Sequence, residues 1–131
     1  MQFVVFKLGQ ELFALNTERV QEIIDMMEST LVPNSAEYIL GLINLRGSIK
    51  SLVDLSYLID FPSEKEKQSI IIIKLEEEEI GLAVDEVVEV VDIKDSEVQS
   101  ISSHREERYI KGIINIDNKL VTIIEVDDLL Y

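Results

Sequence analysis

Laid over itself, the chain matches in two registers. EYILGLIN, Glu37 to Asn44, lies over RYIKGIIN, Arg108 to Asn115, 71 residues on, with five of eight positions identical. The same register pairs Leu52 with Ile123, Val53 with Ile124 and Leu58-Ile59 with Leu129-Leu130. Upstream, FKLGQELFALNTERVQEII from Phe6 lies over IKLEEEEIGLAVDEVVEVV from Ile73, 67 residues on. The four-residue difference is a longer connection around SEVQSISSHREE in the second copy. Two copies are too few for a solenoid array. The pattern is a tandem duplication, with halves of about 1–62 and 69–131 joined by the proline-containing, charged stretch FPSEKEKQ at 61–68.

Each half reads as short strands. FVVFKL and SIIIIKL are first strands, with LFALN and EIGLAVD as hairpin partners across LGQE and EEEE. The run Glu76–Glu79 is then a solvated hairpin tip, since the spaced ligands and glycine of a calcium loop do not follow it. ERVQEIIDMM carries helical spacing, but its repeat partner DEVVEVVDI is rich in valine. We read both as strands, each entered through one helical turn. Val126 to Tyr131 is a final strand or a short helix.

Composition narrows the function. The 131 residues suit one domain with a sizeable core, and no cysteine is present to form a disulfide, thiolate site or cysteine nucleophile. A formal charge of −14 disfavours nucleic acid and anionic membrane as partners. No apolar run approaches the ~20 residues of a membrane span, and no signal peptide precedes the first strand. The default expectation is a soluble cytoplasmic protein without direct membrane insertion.

In INLRGSI, Ile43 to Ile49, an arginine and a glycine interrupt an apolar run where the second half has Asp117-Asn118. Asp117 and Asn118 tolerate the positive φ of a tight hairpin turn, and Gly47 supplies it without steric cost. These three are expected structural turn residues. Arginine has no such preference, so Arg46 is expected outward at a hairpin tip. There it is either an ordinary surface residue or a rigidly held guanidinium able to pair with carboxylates or carbonyls.

Taken together, FKLGQELFAL, VQEII, the proline of LVP, YI-x-G, INLRG with its VDL, GLAVDEVVEV and the closing LVTIIEVDDLL resemble the CheW-like domain family from Phe3 to Leu130. The resemblance implies an all-β fold of two packed five-stranded SH3-like barrels, with edge strands shared to some extent and at most short helical turns. It also implies a coupling protein of bacterial chemotaxis, one that holds the histidine kinase CheA against the cytoplasmic tips of chemoreceptors and catalyses nothing. No cofactor and no metal are implied. In that family one barrel docks on a CheW-like domain of the kinase, and the receptor's helical hairpin lies in a groove between the barrels.

Carried across, Arg46 matches the NLRG arginine associated with coupling, and Val20 and Glu22 match positions of receptor or kinase contact. Gly81, Val87 and Val90 match second-half positions lining the groove. Core valines of a barrel strand fit Val20, Val87 and Val90 equally well, and a close approach of backbones fits Gly81. The chain departs from the family at IKSLVDLS, where Lys50-Ser51 stand in a region that commonly carries proline and Ser56 where a basic residue is common.

Other function classes fare worse. The single histidine, His104, sits in the loop-like SSHREE. There is no nucleophile elbow, Walker-type glycine loop or histidine pair at metal spacing. Asp127-Asp128 reads as a solvated terminal pair. A small-molecule-binding barrel conflicts with the filled interiors of small barrels. A divergent adaptor serving another receptor–kinase pathway shares the fold and stays open.

Overall fold

The computed structural model describes residues 1–61, 63–100 and 109–130. His104 lies outside the described residues.

Ten strands run in chain order: β1 Gln2–Leu8, β2 Glu11–Asn16, β3 Val20–Asp25, β4 Ile39–Leu45, β5 Ser48–Asp54, β6 Ser69–Leu75, β7 Glu78–Val84, β8 Glu86–Asp92, β9 Ile110–Ile116 and β10 Lys119–Ile124. A 3-10 turn over Thr17–Arg19 leads into β3, and its first N–H groups are partly met by the Asn16 side chain. Two short helices, α1 Leu55–Leu58 and α2 Val126–Leu130, follow β5 and β10 at equivalent places in the repeat. Val126 to Leu130 is thus helical, which decides between the two forms expected for the last segment.

The strands form two five-stranded sheets, ordered β8-β1-β2-β10-β9 and β3-β6-β7-β5-β4. Each sheet takes the first hairpin of one half and the last three strands of the other, so strand sharing goes well beyond the edges. The contacts between halves include parallel pairs, β2 with β10 and β5 with β7. Neither half holds all the strands of a sheet.

Each sheet curls closed through one isolated bridge. Thr30 and Leu42 exchange N–H···O bonds of 2.8 Å, and Gln99 and Ile113 do so at 2.9 Å. The repeated YI-x-G glycine sits at both closures. A Cβ on Gly41 would lie 2.6 Å from the Thr30 carbonyl oxygen, and one on Gly112 would lie 2.8 Å from that of Gln99. The repeat retains glycine there because the backbone of the closing segment passes directly over it.

Three apolar clusters result. One fills the first barrel around Phe3, Val5, Ala14, Ile114 and Val121, and another fills the second around Ile43, Leu52, Ile70 and Ile72. The largest lies between the sheets and joins Val4, Phe6 and Leu8 of β1 to Ile71, Ile73 and Leu75 of β6. Both faces of β1 and β6 are therefore buried, which explains their apolar runs in place of a polar–apolar alternation.

Candidate functional site

The sheet edges beside the central cluster are β3 and β8, repeat partners of each other. In β3, Val20 stands opposite Ile73 and Ile23 opposite Ile71; in β8, Val87 stands opposite Phe6 and Val90 opposite Val4. Directly opposed residues share a face of a sheet. All four side chains therefore point to the seam between the barrels. A register shift between Val20 and Glu22, and a matching one at Val88, sets this spacing. Val20 and Val87 are half-buried against the central cluster, whereas Ile23 and Val90 are 38% and 52% exposed. Ile23 and Val90 thus leave apolar surface exposed on the two edge strands.

The sequence reading singled out Val20, Val87 and Val90, and the structure puts them on the same face as Ile23, which that reading did not single out. The signal was present, because Ile23 is the counterpart of Val90 in the 67-residue register.

The β4–β5 hairpin stands apart from this strip. Arg46 and Gly47 form its two-residue turn with φ of 52° and 85°, mirrored by Asp117 and Asn118 at 52° and 67°. Positive φ at both central residues is the hairpin geometry that matches strand twist. Arg46 thus occupies a turn position for which arginine has no preference. The repeated asparagine caps each turn: Asn44 Oδ1 accepts the Gly47 N–H at 2.9 Å, and Asn115 Oδ1 accepts the Asn118 N–H at 3.0 Å.

The Arg46 side chain, 69% exposed, pairs with Glu22 of β3. The structure so brings together the two polar residues singled out from the sequence. The pair ties the tip to the edge strand that carries Val20 and Ile23. Exposed pairs of this kind contribute at most about 1 kcal/mol to stability, so its consequence is orientation of the guanidinium.

Gly81 does not join this surface. It is buried inside the second barrel between Leu52 and Ile72, and a Cβ there would lie 2.9 Å from Ile70 Cγ2. Its place in the repeat is that of Ala14, which is fully buried in the other barrel. Interior packing accounts for the small residue.

A feature the sequence reading passed over is Asp85, 3% exposed where the chain crosses from β7 to β8. Its carboxylate accepts the Gly9 N–H at 2.7 Å and the Ser63 hydroxyl at 2.5 Å, and Lys67 Nζ lies at 3.0 Å. Burial alone would raise this carboxyl, but the Ser63, Gly9 and Lys67 contacts outweigh it and hold the group below the usual range. The cluster pins the inter-half linker to the β1–β2 turn. Among the described residues no cluster of three or more histidines, cysteines or carboxylates is placed to hold a metal, and no helix is long and apolar enough to cross a membrane.

Comparison with known proteins agrees with this fold. The family model of the CheW-like domain matches residues 2–131. A probable chemotaxis protein CheW of Rhizobium etli is 31% identical over 133 residues, covering 98% of this chain and 86% of the relative. The chemotaxis protein CheW of Bacillus subtilis is 29% identical over 134 residues, covering 98% and 86%. The crystal structure of the scaffolding protein TtCheW from Thermoanaerobacter tengcongensis superimposes with a TM-score of 0.88 at 30% identity, over 99% of this chain and 87% of that one.

Proposed function

The chain belongs to the CheW-like domain family, and from that premise we propose that it is a non-catalytic cytoplasmic adaptor coupling chemoreceptor tips to the histidine kinase CheA. The observation that carries this reading is the paired strip of Val20 and Ile23 with Val87 and Val90 along the seam between the barrels. A receptor helical hairpin laid along the seam would bury apolar anchors at the spacing of one helix face. Arg46, held by Glu22 of β3, would read the charge of the partner and set its register. The net charge of −14 favours partners with basic docking surfaces.

The test is titration of the folded protein with two partners separately, a chemoreceptor cytoplasmic fragment and the CheW-like domain of the matching kinase. Both are expected to bind at about micromolar Kd or tighter. Val90→Lys is expected to weaken receptor binding at least about tenfold, because burying one such aliphatic side chain is worth about 1.5 kcal/mol or more. Its melting temperature should stay near that of the parent, since Val90 is exposed. Arg46→Asn keeps a residue suited to the turn and removes the guanidinium, so it should lower coupling while leaving folding intact. Binding to neither partner by a folded sample would redirect the reading to an adaptor of another receptor–kinase pathway.

A further inference from the structure

Strands β1–β5 belong to the first half of the chain and β6–β10 to the second, yet each sheet draws on both. The pairs that join the halves are β1 with β8, β2 with β10, β3 with β6 and β5 with β7. None of these pairings involves the linker. The same contacts can therefore form between the first half of one copy and the second half of another.

The linker is anchored at both ends, each end to its own half. The Phe61 N–H donates to the Ser56 carbonyl at 2.9 Å, and its ring lies edge-on to Phe13 with centroids 5.4 Å apart, both in the first half. Lys67 Nζ lies 3.0 Å from Asp85 Oδ1, and the Gln68 N–H lies 3.1 Å from the Val84 and Asp85 carbonyl oxygens, all in the second half. Between these anchors Glu64, Lys65 and Glu66 are exposed. Among the described residues, one hydrogen bond ties the stretch Ser63 to Glu66 to the barrels, from the Ser63 hydroxyl to Asp85 Oδ2 at 2.5 Å.

That bond sets how far the linker can reach. It returns the chain to the same buried carboxylate that holds Lys67, so the bend closes on one aspartate. With Ser63 held, four residues' length separates it from Lys67, at most about 14 Å. With Ser63 released, six residues' length runs from Phe61 to Lys67, about 20 Å. An exchange of halves keeps the strand pairs between halves, the central cluster, the Gly9–Asp85 bond and both anchors. Its cost is the Ser63 bond and the loss of a tethered partner half, whose effective concentration is about millimolar or above.

We propose that the Ser63–Asp85 bond is a catch that keeps both halves in one chain, and that its release lets two copies exchange halves to form a dimer. Exchange of an identical element is a low-cost route to dimers, and a short hinge loop controls it. Each seam of that dimer is bordered by β3 of one copy and β8 of the other, so the dimer carries two complete strips. The exchange itself does not rest on the coupling reading, and its test involves no receptor or kinase.

The full chain and Ser63→Ala are held at about millimolar concentration just below the melting temperature, cooled, and sized by light scattering after gel filtration. Both are expected to yield dimer, and Ser63→Ala should dimerise at least about tenfold more tightly, because each parent dimer gives up two charge-assisted hydrogen bonds. Mixing 15N-labelled with 13C-labelled chains before heating identifies the contact. NOEs between chains are expected for Leu15 with Ile124 and for Val53 with Leu82, pairs opposed across the halves. Monomer alone from both proteins, or a dimer in which these NOEs stay within one chain, would overturn the exchange. Equal dimerisation of parent and Ser63→Ala would overturn the catch.

Discussion

Asp85→Ala is expected to destabilise the protein by about 3–5 kcal/mol at neutral pH, the range for removing one member of a buried ion pair. The substitution would leave Lys67, itself largely buried, facing no carboxylate, and would strand the Gly9 N–H and the Ser63 hydroxyl. It would also release the linker from the β1–β2 turn, which belongs to the opposite sheet. Urea unfolding of parent and variant measures the difference directly.

Acid titration gives an independent check. The folded-state pKa of Asp85 is depressed, so its stabilisation is fully present above the unfolded value of about 4 and is lost as pH falls through the folded value. The gap between the parent and Asp85→Asn should therefore be constant near neutrality and shrink below about pH 4. A gap that stays constant to lower pH would show that Asp85 contributes by shape and neutral hydrogen bonds alone.

This residue also marks where reading the sequence stops. Asp85 lies in GLAVDEV, a segment that resembles the family throughout, and nothing in its composition distinguishes a buried aspartate from a solvated one. Its partners Ser63 and Lys67 sit in a linker without periodicity, so only folding brings them together. Strand identities were legible because apolar runs, turn residues and the two repeat registers agreed. The sheet each strand joins was not, because a period of two specifies a face and says nothing of the neighbour. Hairpins such as β1–β2 are local, but the parallel pairing of β2 with β10 links residues over a hundred positions apart.

The seam was half legible for the same reason. Val20, Val87 and Val90 carry the family pattern, while Ile23 shares their face only through the register shift at Gln21. Gly81 was read from its motif as a groove residue. Its neighbours Leu52, Ile70 and Ile72 come from three different stretches of sequence, and together they place it in the interior.

Gly41→Ala is expected to cost about 3–4 kcal/mol and to lower the melting temperature by about 10 °C. Two effects add. The residue has φ of 152°, which L side chains rarely adopt, and the new Cβ would lie 2.6 Å from the Thr30 oxygen and 2.9 Å from its carbonyl carbon. Backbone atoms cannot rotate away as a side-chain terminus can, so relief requires opening the Thr30–Leu42 bridge. Gly112→Ala meets the Gln99 oxygen at 2.8 Å without that conformational cost, and about 1–3 kcal/mol is expected. Gly47→Ala is the control: its φ is 85° but its Cβ would meet nothing within 4 Å, so only about 1 kcal/mol should be lost. Hydrogen exchange separates the causes. In Gly41→Ala the Thr30 and Leu42 amides should lose protection ahead of the rest of their sheet, because the closure opens first. If all amides of that sheet weakened together, the bridge would be no more than one contact among many, and the repeated glycine would need another explanation.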